Sequence, residues 1–292
     1  MYHMTKEEIK AYLRRIGIVE QQAPTKEYLF ALHQAHVRTL TWQTIDIFAG
    51  KPAAIGFKES IQLILNSRSG YCFHLNGAFS ALLHSLGYQV NLHRAGVQPL
   101  GAEPRVNSFH LGLSVNLVND KEGEDRWIVD VGLGDMPYEP VPLQHGLYKQ
   151  GHLSYKVMES SVVTNGWRLE HDPLASFVGV DIDAAVIGSL ESFKPKHDYY
   201  SRSPESPWIN IFLVRQRDAG ESNELRGCIW SRRHKDGLTK IEVGSKTQWL
   251  DLLGDVFKEH LVNYSSLERD ELWKRVESAH TEWKASKLGA GK

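Results

Sequence analysis

The sequence predicts an α+β protein in three compact parts: a helical bundle, a mostly β region, and a mixed α/β end. Apolar residues recur at helical spacing through the first ninety positions. After Gly87 the pattern changes to short apolar runs of strand length, broken by polar turns. Helices and strands are segregated along the chain and do not alternate, which argues against βαβ units and a parallel sheet. With 292 residues the chain is longer than one small core needs. The expected parts are residues 1–87, 88–200 and 201–292.

Each element has a local reason. Thr5-x-x-Glu8 is a capping box, Ile9, Tyr12, Leu13 and Ile16 follow at helical spacing, and Gly17 stops that helix. A second helix starts at Pro24-Thr25 and carries Tyr28, Leu29 and Leu32. A third runs from about Phe57 to Asn66. After the turn Ser67-Arg68-Ser69-Gly70, a fourth spans about Cys72 to Leu86, with Phe79, Leu82, Leu83 and Leu86 apolar and Gly87 closing it. Tyr88–Val97, Phe109–Leu117 and Trp127–Val131 read as strands, with a polar turn at residues 119–123. Asn165-Gly166 marks a short hairpin between strands at Ser154–Val163 and Trp167–Glu170. Trp208–Val214, Gly227–Arg232 and Leu238–Val243 read as further strands. Helix returns around Trp249, Leu252 and Leu253, then around Leu267, Leu272, Trp273 and Val276.

Bulk composition removes several function classes. Hydrophobic content of 41% and charged content of 24% are ordinary for a globular protein. Thirty-four basic against thirty-five acidic residues give a net charge of −1, so no overall basic field attracts nucleic acid. No apolar run approaches the roughly 20 residues of a membrane helix, and the first fifteen residues lack the apolar stretch of a signal peptide. The expectation is a cytoplasmic protein with neither nucleic acid nor membrane as partner. Whether it forms a homo-oligomer is open.

Two cysteines, Cys72 and Cys228, cannot build a disulfide framework. A free cysteine is most often a small buried hydrophobe, and Cys228, within Gly227-Cys228-Ile229-Trp230, fits that reading. Cys72 differs because it begins a helix, where unpaired N–H groups and the dipole favour a thiolate. His110 lies in the apolar strand Ser108–Leu113, and Asp130 closes the apolar run Trp127–Val131. A buried Asp needs a partner. On adjacent strands the two would form either a structural pair or the base and orienter of a nucleophilic triad. Cys72-x-His74 could in principle ligate a metal, but no second Cys or His pair follows at ligand spacing. Residues two apart on a helix also face different sides, so His74 reads as a polar residue packed behind the site, with no metal expected. Gly132-x-Gly134 is too short for a dinucleotide fingerprint.

The stretch Arg68-Ser69-Gly70-Tyr71-Cys72-Phe73-His74-Leu75-Asn76 resembles the signature of the arylamine N-acetyltransferase family, which reads Arg-Gly-Gly-x-Cys-Phe-Glu-Leu-Asn. Phe109-His110-Leu111 resembles the family's Thr-His-apolar strand. Asp130-Val131-Gly132-Leu133-Gly134 resembles its Asp-x-Gly-Phe-Gly element. His197-Asp198-Tyr199 through Ser206 resembles its Asn-x-Tyr…Ser-x-x-Pro-x-Ser segment. The matches fall in the family's order and spacing, and the chain length and the order of helical, β and mixed parts resemble the family's nearly end to end.

The resemblance implies a cysteine-protease-like Cys-His-Asp core on a helical bundle, a barrel-like central β domain and a C-terminal α/β lid. It implies acetyl-CoA as acyl donor and an arylamine, arylhydrazine or arylhydroxylamine as acceptor, in a ping-pong exchange of the kind used in xenobiotic metabolism. It implies Cys72, His110 and Asp130 as catalytic residues. It places Gly132, Gly134, Tyr199 and Ser206 at the CoA side, and Phe109 and Leu133 in the acceptor pocket. The backbone N–H of Cys72 is a candidate oxyanion donor. Arg232-Arg233-His234-Lys235 is either a solvated basic turn or a contact to CoA phosphates. Ser69, His74, Gln43 and Leu133 depart from the family pattern. Gln43 stands where the family has a Glu that pairs with the residue matching Arg68, so Arg68 is expected to have another partner. Two alternatives stay open: a Cys-His-Asp amide synthase or transglutaminase-like hydrolase with another acyl donor, and a binding protein with a vestigial triad.

Overall fold

The computed structural model describes residues 1–119, 123–135 and 137–289. Five helices come first: α1 (Lys6–Arg15), α2 (Lys26–Thr39), α3 (Ile45–Phe48), α4 (Phe57–Leu65) and α5 (Cys72–Ser85), with strand β1 (Trp42–Gln43) before α3. The capping box forms: the Thr5 hydroxyl accepts from the Glu8 N–H at 3.2 Å, and the Glu8 carboxylate accepts from the Thr5 N–H at 2.9 Å. Such a cap contributes about 1 kcal/mol. Gly17 takes φ +79° and turns the chain out of α1, a conformation that costs glycine little. Helix α5 is buried on nearly all sides, as expected of a helix that is apolar around its circumference.

Eight antiparallel strands follow: β2 (Gln89–Gln98), β3 (His110–Asn119), β4 (Gly123–Ile128), β5 (Val141–Pro142), β6 (Gly146–Gln150), β7 (Leu153–Glu159), β8 (Trp167–Glu170) and β9 (Gly179–Ile187). They form one sheet in the order β5-β4-β3-β2-β9-β8-β7-β6. Val141 of β5 shares a core with Leu153, Tyr155 and Val157 of β7, so the sheet curls toward a barrel. After α6 (Lys194–Arg202) and a 3₁₀ turn (Pro207–Asn210) come β10 (Leu213–Arg217), β11 (Ser222–Arg226), β12 (Ile229–His234) and β13 (Gly237–Glu242), then α7 (Lys246–Asp255) and α8 (Ser266–Gly289). The second sheet runs β1-β10-β11-β12-β13, so a strand from the helical part edges the C-terminal sheet.

Three apolar clusters hold the parts together. One joins α1, α2, α4 and α5 to one face of β2–β4; the second lies beneath α7 and α8 and takes in Phe48; the third fills the curled sheet. The described helices include none long and apolar enough to cross a membrane.

Several local expectations change. Pro207–Asn210 is a 3₁₀ turn, so the strand expected from Trp208 begins only at Leu213. Pro207 fixes φ and has no N–H to give a ladder, and the Ser206 hydroxyl caps the turn by accepting from the Trp208 N–H. The hairpin at Asn165 has a loop spanning 160–166, because the β7–β8 register ends at Glu159↔Trp167. Gly227, at φ +58°, makes a turn between β11 and β12, so Cys228 lies before the strand, buried in the second core. Arg232 and Arg233 lie within β12 and not in a loop. The strand expected to run to Val131 ends its ladder at Ile128. The turn expected at 119–123 falls, at 120–122, outside the described residues.

Candidate active site

Cys72 is the first residue of α5, with Tyr71 as its N-cap, so the sulfur sits where the helix dipole stabilises negative charge. The β3–β4 ladder supplies the other two groups. Its register pairs Ser114 with Ile128, and the Val129 N–H still donates to Leu113 O at 3.1 Å. Extending that register puts Asp130 opposite Gly112 and diagonal to His110 on the same face, within side-chain reach. Gly112 places no side chain between them.

The result is a buried ion pair: His110 Nε2 lies 2.5 Å from Asp130 Oδ2, and neither residue is appreciably exposed. Burial of His110 disfavours its charged form, but Asp130 and the Cys72 sulfur outweigh that and raise its pKa to about 10. Burial likewise opposes ionisation of Asp130, yet His110, Asn76 and the Gly132 N–H hold its pKa below the ordinary carboxylate range. With Nε2 committed to the carboxylate, Nδ1 is the ring nitrogen left to exchange a proton with the thiol. The Cys72 sulfur also lies 3.8 Å from Phe109 O.

Asn76 completes this centre and was not singled out from sequence. It lies four residues after Cys72, on the same helix face. Its Nδ2 donates to Asp130 Oδ1 at 2.7 Å and to Leu111 O at 2.6 Å, and its Oδ1 accepts from the Val131 N–H at 3.0 Å. The available signal was the i, i+4 spacing of an amide from Cys72 inside an apolar helix.

Cys72 opens onto a cleft of about 400 Å³, walled by Trp42, Phe109, Leu133, Tyr199, Tyr200 and Trp208, with Arg105, Arg215 and Arg226 also lining it. Phe109, Leu133 and Tyr199 line this one cleft together. Gly132, Gly134 and Ser206 do not line it. A Cβ at Gly132 would stand 2.6 Å from Asn76 Nδ2 and 3.1 Å from the Cα of Cys72. Gly134, at φ +67°, faces Arg215 and Trp42, whose Cβ would be 2.9 Å away. Both glycines are thus required by close approach of the chain to itself. Ser206 is buried, donating to Tyr200 O at 2.8 Å.

The departures from the family pattern find local explanations. Arg68 pairs with Asp46, Nη2 to Oδ2 at 2.7 Å, and Asp46 also accepts from Asn263 and Tyr264. Gln43 instead holds backbone: its Nε2 donates to Ser69 O at 2.8 Å and its Oε1 accepts from the Ile45 N–H. His74 turns away from Cys72 and lies with Nε2 3.2 Å from Ala54 O; burial lowers its pKa to about 4, so the ring is neutral. Arg233 is buried near Asp135, whose pKa it helps to lower against burial, and Arg232 binds Glu221 at 2.8 Å. Burial raises the Cys228 thiol to about 11.

The sequence pattern of the N-acetyltransferase family matches residues 25–265. The chain is 30% identical to an arylamine N-acetyltransferase of Mycolicibacterium smegmatis over 86% of its own length and 91% of that protein. It is 31% identical to a Salmonella typhimurium arylamine N-acetyltransferase / N-hydroxyarylamine O-acetyltransferase, over 52% of this chain and 53% of the other. Among solved structures, a Mycobacterium marinum arylamine N-acetyltransferase in complex with CoA superposes with TM-score 0.80 at 22% identity, covering 93% of this chain and 99% of that one, which bears on the fold. From the length and depth of these matches, the chain belongs to the arylamine N-acetyltransferase family.

Proposed function

We propose that the protein transfers an acetyl group from acetyl-CoA to an arylamine, arylhydrazine or arylhydroxylamine through an acetyl-Cys72 intermediate. The observation that carries the proposal is the Asp130–His110 ion pair, at 2.5 Å, set behind a cysteine at a helix start that opens into an aromatic cleft. In the first half-reaction Cys72 Sγ attacks the thioester carbonyl, the carbon–sulfur bond to CoA breaks, and His110 delivers a proton to the departing CoA sulfur. In the second, the amine nitrogen attacks the acetyl-Cys72 carbonyl, His110 takes the nitrogen's proton, and the Cys72 sulfur leaves. Asp130 holds the imidazole in place and stabilises its positive form through both. Splitting the transfer in two gives ping-pong kinetics.

The Cys72 N–H, in the unpaired first turn of α5, is the proposed donor to the oxyanion. Phe109, Tyr199, Tyr200 and Trp208 offer flat apolar surface for an aromatic acceptor. Arg105 and Arg226 supply positive charge in the same cleft for the phosphates of the donor. Mixing the protein with acetyl-CoA and no acceptor tests the reading. Intact mass should show one added acetyl group and an equivalent of CoA released, both absent in Cys72→Ala. No adduct, and no CoA release with any of several arylamines, would discard it.

A further inference from the structure

The turn that presents Cys72 is clamped from the helical side. The Gln43 side chain binds Ser69 O at 2.8 Å, the Gln43 N–H donates to Gly70 O at 2.9 Å, and a Cβ on Gly70 would meet the His74 ring at 2.6 Å. Backbone, a buried side chain and a neutral ring thus fix residues 69–70 independently of anything across the cleft. The opposite wall is held mainly by packing: Phe193, before α6, lies 5.0 Å from the Phe73 ring, and Arg275 donates to Ile209 O at 2.6 Å in the 3₁₀ turn. Helix α6 and the 3₁₀ turn after it lie in neither sheet, and they carry Tyr199, Tyr200 and Trp208.

One polar contact crosses from the clamped turn to that wall. Tyr71 Oη lies 2.5 Å from His197 Nδ1, with both residues buried and their rings near-parallel at 9°. Tyr71 also meets Trp208 edge-on at 5.1 Å, and Trp208 stacks on Tyr200 at 3.9 Å and 8°. Tyr200 in turn lies 4.2 Å from Phe109, the residue before His110. A chain of rings therefore runs from the N-cap of the nucleophile helix, through the α6 wall, to the base strand.

Both partners are neutral. Burial keeps the Tyr71 hydroxyl protonated well above its ordinary range, with the Cys72, Tyr200 and Asp198 charges acting in the same direction. Burial holds the His197 imidazole below its ordinary value, Asp198 opposing and Arg202 and Lys194 assisting. A hydrogen bond between a neutral hydroxyl and a neutral imidazole, both buried, is one water cannot reach to replace.

We infer that Tyr71 and His197 are a positioning pair that holds the α6 wall against the Cys72 turn and so sets the shape of the acceptor side of the cleft. The inference rests on the acyl-transfer reading for what the cleft receives. The pair acts on the wall and not on the sulfur, because Gln43 and His74 already fix the turn. Losing the bond releases α6 and leaves Cys72 where it is.

Hydrogen exchange on the full-length protein, paired with steady-state kinetics on 4-methoxyaniline, tests this. In Tyr71→Phe and in His197→Leu, amide exchange across residues 197–203 should rise roughly tenfold, the worth of one buried hydrogen bond, while the first turn of α5 is unchanged. The KM for the amine should rise roughly tenfold with kcat held within about twofold. His197→Asn keeps an acceptor where Nδ1 stands and should restore both. Unchanged exchange in α6 overturns the inference whatever the activity, and so does exchange rising equally in α5 and α6 with a fall in kcat. Failure of the functional reading looks different: the unsubstituted protein would form no acetyl-Cys72, while the exchange data would still decide the pair.

Discussion

Asn76 Nδ2 lies 2.7 Å from Asp130 Oδ1, so the side chain one helical turn after Cys72 holds the carboxylate paired with His110. The same amide satisfies Leu111 O and the Val131 N–H, which ties α5 to β3 and to the segment after β4 at one point. Replacing it with Leu, close in volume but without polar atoms, leaves three buried groups short of a partner. Each such loss costs about 1–3 kcal/mol, and the losses overlap. Asn76→Leu should therefore lower unfolding stability by about 3 kcal/mol in a urea titration, and lower turnover by more than roughly tenfold at a temperature where the variant stays folded. An unchanged urea midpoint would mean that the contact has no energetic weight.

Asp130→Asn removes the charge that outweighs burial at His110. In the unsubstituted protein the imidazole keeps its proton up to about pH 10, so it can balance a thiolate through the neutral range. The sign follows from both partners. The raised His110 pKa contributes stability that is full below its ordinary 6.5 and lost as pH rises through about 10. The depressed Asp130 pKa contributes stability present above its ordinary 3.8 and lost as pH falls below it. Iodoacetamide alkylation of Cys72 should accordingly stay fast across neutral pH in the unsubstituted protein. In Asp130→Asn it should fall by roughly 30-fold at pH 7, as for a thiol with no imidazolium held beside it. Identical alkylation profiles for the two proteins would separate Asp130 from the thiol.

The three residues proposed to react were legible because each carries a local signal: a cysteine at a helix start, and a His and an Asp inside apolar strands. Their juxtaposition was legible only as adjacency of strands, since the diagonal register across Gly112 depends on where β4 begins. The Arg68–Asp46 pair was not legible, because Asp46 sits on a one-turn helix whose place is set by Asn263 and Tyr264 far along the chain. Gly132 and Gly134 read as room for a ligand, and the structure shows that protein occupies that room. Ser206 matched a binding motif, yet its hydroxyl is consumed in capping the following turn. Strands β1, β5 and β11 escaped notice because two-residue strands and a polar strand such as Ser222–Arg226 lack an apolar run of their own; their partners define them.

Glu259, beyond the end of α7, gives a pH dependence of stability remote from the active centre. It is buried, and its Oε1 accepts from the Leu261 N–H at 2.8 Å. Burial raises its pKa to about 7; the Leu261 N–H opposes this, nearby Asp46 adds to it, and Arg15 and Arg68 oppose it. The folded protein thus holds this proton more tightly than the unfolded chain, whose value is near the ordinary 4.5. The favourable contribution is complete below the ordinary value and disappears as pH rises through about 7, a change of at most about 3 kcal/mol. Glu259→Gln keeps an oxygen to accept from Leu261 and removes the ionisation. Other groups titrate in both proteins, so the difference between the two isolates Glu259. Thermal unfolding followed from about pH 5 to pH 8 should show the unsubstituted protein losing Tm relative to Glu259→Gln as pH rises from about 5 to about 7, with the divergence levelling off above that. Parallel curves would show that Glu259 ionises in the fold as readily as in the unfolded chain, through relaxation that brings Arg15 or water to the carboxylate.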